Sequence, residues 1–264
     1  MHSSLVLGAA SAALFSLAEG HGWLTGARVN GAGWTDGQNP NWYYITSPPA
    51  TAGWKALNQD NGFVDPASFQ TSNIDCHKSA VTNTQYVTAN AGDTLTLYWN
   101  TWPDSHKGPI INYIAPVSSM SLYFPLVILQ VSCFASATAG NLGWSKISEA
   151  AWISGSNPGT WVTDTLIATG NFSSTVKIPA KLKAGNYILR HEIIGLHSAG
   201  NDNGAQAYPQ CLNLVVGGSG TVSAPSGTKG TALYSRTDPG ILFDLYRTFS
   251  SYTIPGPALW TGAN

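Results

Sequence analysis

The chain has 264 residues with a formal net charge of −1, and Asp, Glu, Lys and Arg make up only 9% of it. With 10 Trp, 11 Tyr and 28 Gly, a nearly neutral, aromatic surface excludes the basic footprint of a nucleic-acid binder and suits a neutral partner such as carbohydrate. No internal repeat or Pro/Thr/Ser-rich linker divides the chain, which is expected to work as one body and as a monomer.

The opening segment MHSSLVLGAASAALFSLAEG holds an apolar run from Leu5 to Leu17 and ends on Ala18-Glu19-Gly20, small residues at the positions a signal peptidase reads. The run is too short to cross a bilayer, and its start lacks Lys and Arg, so a buried N-terminal helix is the competing reading. Read as a signal peptide, residues 1–20 make the protein secreted and extracellular, and residues 21–264 form a single domain that begins at His21. A histidine at a free terminus offers its α-amine and a ring nitrogen side by side, a chelate no internal histidine can make.

Further along, alternating apolar and polar residues at Thr94–Trp99, Thr175–Ile178, Tyr187–Ile194 and Cys211–Val216 predict strands. Segments rich in Gly, Pro, Asn and Ser, including Asn30–Asn41, Gly155–Gly159 and Gly217–Gly227, read as loops, and no long periodic helix follows residue 20. The expected fold is all-β: an immunoglobulin-like or fibronectin-like antiparallel β-sandwich with long loops. The aromatic stretch from Gly230 to Trp260 reads as a long ordered loop packed on that sandwich.

Residues 118–139 break the pattern, because SLYFPLVILQVSCF is densely apolar without alternation or turn punctuation. Two readings stand: a buried strand, or a segment foreign to the working protein, such as translated intron. It is too short and too Pro-broken for a membrane span. Of the three cysteines, Cys76 and Cys211 lie in polar sequence and are expected to pair, leaving Cys133 of the apolar stretch over. Closing so long a loop contributes about 4–5 kcal/mol in the chain-entropy model. The sequon Asn171-Phe172-Ser173 marks Asn171 as a glycan acceptor.

Past residue 20 the candidate metal ligands are His21, His77, His106, His191 and His197, with a few carboxylates. A glycosidase needs a raised-pKa acid opposite a second carboxylate, and Glu149 and Glu192 are the only glutamates left, beside ten Asp. Glu192 and His191 adjoin in an apolar strand and are expected to form a hydrogen-bonded core pair. Copper suits a chelating His21, since nitrogen donors in one plane are a Cu(II) preference. His106, in Asp104-Ser105-His106-Lys107-Gly108-Pro109, sits in a turn that could approach it. Gln206 and Tyr208 are two residues apart in an extended segment and face one side, with His197 arriving from the preceding loop.

Together the terminal His21-Gly22, the DSHKGP loop, the strand YILRHEIIGLHSA, the segment GAQAYPQC and the tail GTALY…TDPGILFDLYR…SSYTIPGPALW resemble the fungal lytic polysaccharide monooxygenases of auxiliary activity family nine, formerly glycoside hydrolase family sixty-one. The resemblance runs from residue 21 to the end, except for roughly residues 118–139. It implies a copper brace made of the His21 amine, the His21 ring and His106, with Tyr208 as axial oxygen and His197 and Gln206 as hydrogen-bonding neighbours that tune reactivity. It implies one copper ion cycling between Cu(I) and Cu(II), O2 or H2O2 as co-substrate, an external reductant, and oxidative cleavage of cellulose or a related β-glucan. Tyr44 and Tyr246 match aromatics that lie against the glucan, and Cys76 with Cys211 matches the family's core disulfide. Two other classes compete: a non-catalytic carbohydrate or copper binder, which has no need of His197, Gln206 and Tyr208 together, and a conventional hydrolase, which the scarcity of Glu disfavours.

Overall fold

The computed structural model describes residues 22–58, 62–117 and 134–264; the proposed signal peptide, His21 and residues 118–133 with Cys133 lie outside the described residues. One sheet contains β1 (Leu24–Val29), β2 (Ala32–Asp36), β4 (Thr94–Trp99) and β9 (Ser173–Lys177) in the order β2-β1-β4-β9. The other contains β3 (Val87–Asn90), β5 (Ile110–Val117), β6 (Gly143–Ala150), β10 (Gly185–Gly195), β11 (Gln206–Gly217) and β12 (Thr228–Lys229) in the order β12-β6-β5-β10-β11-β3. A ribbon of β7 (Trp152–Ser154) and β8 (Thr160–Trp161) and two short helices, α1 (Asn73–Cys76) and α2 (Val162–Ala168), lie between them in sequence. The all-β sandwich expected from the sequence is the observed fold, and it departs from antiparallel pairing where β11 and β3 run parallel.

Two apolar layers explain why the strands read differently. In β4, Leu95, Leu97 and Trp99 point into the space between the sheets while Thr94, Thr96 and Tyr98 do not. They meet Ile110, Ile114, Leu189, Ile193, Leu212 and Leu214 of the larger sheet. The opposite face of that sheet, including Ile111, Ile188 and Ile194, is covered by loops and by the tail through Leu233, Tyr234, Ile241, Phe243 and Leu245. A sheet covered on both faces carries strands that are apolar almost throughout, hence the unbroken burial of β10 from Tyr187 to Gly195. The tail is the packed irregular segment expected, with one short helical turn at Gly230–Ala232.

Asn30–Asn41, expected as loop, contains β2. Asn30 and Gly31 both take positive φ (50° and 76°), as the tight hairpin turn between β1 and β2 requires, and Asn-Gly is a strong signal for such a turn. Within the irregular stretch 118–139, the described part enters the body: Phe134 is fully buried and stacks on Tyr86 at 6.0 Å between ring centroids.

The expected pairing of His191 with Glu192 does not occur, although both are fully buried. Successive strand residues face opposite sides, so the two side chains enter different layers. His191 faces the space between the sheets: its Nε2 accepts from Trp99 Nε1–H (3.0 Å), and its Nδ1–H therefore donates to Asn112 Oδ1 (2.7 Å). Glu192 faces the tail and takes a two-point ion pair from Arg190 (2.6 and 2.8 Å) together with the Tyr234 hydroxyl. Arg190 also donates to the carbonyls of Ile74 and Asp75 in α1, beside the disulfide that joins Cys76 to Cys211.

Candidate metal centre

The site grows from the turn between β4 and β5. The Trp102 indole N–H donates to the His106 carbonyl (3.0 Å), and the His106 N–H donates to the Pro103 carbonyl (3.0 Å), closing the turn. The turn is pinned to β10 by Ile194 N–H to the Pro109 carbonyl (3.1 Å) and Leu196 N–H to the Lys107 carbonyl (2.8 Å). Gly108 permits this approach, since a Cβ there would overlap the Ile194 carbonyl oxygen. His106 is thus buried although it stands in a loop, with its Nδ1 3.1 Å from the Ser105 hydroxyl.

Antiparallel pairing of β10 with β11 sets Gly195 opposite Gln206 and Ile193 opposite Tyr208. His197, two residues beyond Gly195, lays its ring on that of His106 with centroids 3.8 Å apart and planes inclined 29°. The Tyr208 ring is fully buried and stands 6.5 Å from His106 and edge-on to Trp102 at 5.1 Å. Its hydroxyl donates to Gln206 Oε1 (2.7 Å). Four side chains from three separate segments therefore meet in one place, and none of them is an Asp, Glu, Lys or Arg.

The start of the described chain is held against the same turn. Trp23 N–H donates to Asn100 Oδ1 (2.8 Å), and Asn100 N–H donates back to the Trp23 carbonyl (3.1 Å). Only glycine fits at position 22, because a Cβ would overlap the Thr101 carbonyl oxygen and press on Asn100 and Trp99. Gly22 is thus packed against the segment that leads into His106.

Among the described residues no three His, Cys, Asp or Glu gather as a metal site. The donors assembled here are two imidazoles, a phenol and an amide, a mixed nitrogen and oxygen set without fixed charge. Such a set suits a borderline ion such as copper far better than calcium or magnesium, which take oxygen cages. With the His106 imidazole and the Tyr208 phenol in place, the donor set fits copper.

The remaining candidates fall elsewhere. His77 is buried and structural: its Nδ1 accepts from the Lys78 N–H and its Nε2 lies 2.9 Å from the Gly62 carbonyl. Tyr44 closes the short helix Pro40–Tyr44 and is 76% exposed. That helix emerges beside the start of β1, since Gln38 N–H donates to the Leu24 carbonyl and Gln38 Nε2 to Gln210 Oε1. Tyr246, 53% exposed, follows Phe243, whose N–H donates to the Ala199 carbonyl just past His197. Asn171 is exposed in the turn between α2 and β9, flanked by positive φ at Gly170 and Phe172. Trp99, Trp102 and Gly22 build the site but carried no chemical signal in the sequence. Tyr252 of the tail packs edge-on against Trp161 and Phe243.

The sequence profile of Auxiliary Activity family 9 (formerly GH61) matches residues 21–253. AA9 family lytic polysaccharide monooxygenase F of Malbranchea cinnamomea is 50% identical over 252 residues, covering 95% of each chain. The protein of the same name from Emericella nidulans is 47% identical over 249 residues, covering 93% of each. Among solved structures, the extended catalytic domain of H. jecorina LPMO9A superposes with a TM-score of 0.82 at 40% identity over 92% of both chains.

Proposed function

The chain belongs to Auxiliary Activity family 9, and from that membership we propose that it is a secreted, copper-dependent lytic polysaccharide monooxygenase. It cleaves the β-1,4-glucan chains of cellulose or a close relative, taking O2 or H2O2 as co-substrate and electrons from an external donor. The observation that carries this reading is the meeting of His106, His197, Gln206 and Tyr208, with Gly22 packed on the segment that leads into His106.

Copper would be held by the amine and ring of His21 and by the His106 ring, with the Tyr208 oxygen alongside; bound there, it supplies one-electron redox chemistry toward the oxygen co-substrate. The chain's own residues do the rest. Tyr208 commits its proton to Gln206, which leaves the phenol oxygen's lone pairs for the metal side. His197 and Gln206 supply the hydrogen-bonding groups next to the co-substrate. Trp99 and Trp102, both buried, keep water from the inner side of the site. Tyr44 and Tyr246 offer exposed rings that stack on the apolar faces of sugar units. The chelate depends on removal of residues 1–20, since an amide at His21 has no amine to give. Asn171, exposed in its turn, is the glycan acceptor.

The test uses secreted protein with a verified N-terminus, together with a form carrying one added residue before His21. The expected result is tight copper binding and ascorbate-dependent release of oxidised oligosaccharides from cellulose in the first form, and loss of both in the second. Equal copper affinity in the two forms overturns the brace, and soluble sugars released without copper or reductant overturn the oxidative reading in favour of hydrolysis.

A further inference from the structure

The turn that carries His106 is tied to a second element that none of the copper chemistry requires. Lys107 Nζ lies between two carboxylates, Asp104 at 2.8 Å within the same turn and Asp164 in the first turn of α2. The Asp164 carboxylate is itself fixed, because its other oxygen accepts the backbone N–H of Trp161 (2.8 Å) at the start of the helix. One residue earlier, the Thr163 hydroxyl accepts the Gly108 N–H (3.3 Å) in a buried contact. Residues 107 and 108 are thus held by 164 and 163, immediately after His106.

The pair is sheltered: the Lys107 side chain is 13% exposed and that of Asp164 23%. The Lys107 ammonium thus faces a carboxylate on either side. A charged, partly buried clamp on a fixed helix end is stiffer than an exposed surface pair, which contributes little. Outer partners of this kind orient the groups that touch a metal.

We propose that Asp164 is a positioning residue that acts through Lys107 to hold the His106 imidazole in its metal-facing geometry. The inference rests on the copper reading above. Asp164 touches neither metal nor substrate in it; the helix end sets the turn, and the turn sets the ring.

The experiment compares copper-loaded wild type with Lys107→Met, Asp164→Asn, the double variant and His106→Ala. The readouts are the Cu(II) electron paramagnetic resonance spectrum, copper affinity by calorimetry, and the unfolding midpoint of the metal-free protein. Lys107→Met leaves the bond from the Trp161 N–H to Asp164 intact and carries the test alone if Asp164→Asn folds poorly. Both single variants are expected to give the same altered spectrum and about tenfold weaker copper binding, the double variant no more than either. Spectra and affinities equal to wild type, while His106→Ala loses copper, overturn the proposal and leave the copper reading standing. Additive effects in the double variant overturn action through Lys107. Copper binding that survives His106→Ala unchanged sinks the copper reading and this proposal with it.

Discussion

The imidazole rings of His106 and His197 stack at 3.8 Å between centroids, although they come from opposite ends of β5 and β10 in the chain. Stacking fixes the plane of His106 while leaving His197 beside it. Replacing His106 with Ala is therefore expected to abolish tight copper binding. His197→Ala is expected to keep the metal but to lower release of oxidised sugars by about 10–100-fold, the range for outer-shell partners. Calorimetry and product chromatography on the two variants separate these roles, and copper loss in His197→Ala would make it a ligand instead.

Tyr44 and Tyr246 are exposed on two separate segments, one tied to β1 and β11 and the other to the turn after His197. If they stack on sugar, each contributes on the order of 1 kcal/mol, or several-fold in binding. Tyr44→Ala and Tyr246→Ala should weaken adsorption to cellulose by that amount, and the double variant by roughly the product, with copper affinity unchanged. Adsorption isotherms on crystalline cellulose decide the matter.

His191 is held neutral by its surroundings. Burial first, and the Arg190 charge second, lower its pKa from an ordinary 6.5 to about 3, and protonation at Nε2 would also break the bond from Trp99. The unfolded chain takes up this proton near its ordinary pKa and the folded protein only near the lowered one, so between those values unfolding binds about one extra proton and stability falls as pH falls. The full shift corresponds to roughly 5 kcal/mol lost by the acid end of that window. Urea unfolding of wild type and His191→Asn between these pH values should give a shallower slope in the variant, by up to one proton.

Arg190 and Glu192 are both fully buried, so neither charge can be relieved by water. Arg190→Met alone is expected to cost about 3–5 kcal/mol by stranding Glu192. Adding Glu192→Leu should recover a large part of that loss. Chemical denaturation of the single and double variants measures both, and an equally unstable double variant would show that the network's partners, Tyr234 and the α1 carbonyls, matter more than its charge balance.

Much of the fold was legible because burial leaves a period in the sequence. Thr94–Trp99 alternates since one side of β4 faces the other sheet and one side does not, and its bounds read true. The ends of β10 and β11 read less well, because a sheet covered on both faces hides its period. β2 was hidden in a Gly- and Asn-rich stretch whose turn chemistry marks a hairpin rather than a loop. The partners of His191 and Glu192 were misread for a simpler reason: neighbours in a strand are not neighbours in space.

The sequence alone determined the chemistry that the site could have: which histidines exist, and which phenol and amide share a strand face. Those are properties of residue type and local period. Only the tertiary structure decided that His106 is buried rather than a surface loop residue, that its ring lies against His197, and that the end of α2 grips the next residue in the chain. Each of these contacts joins segments far apart in the chain, and their geometry is set by strand register and core packing, which no local pattern encodes.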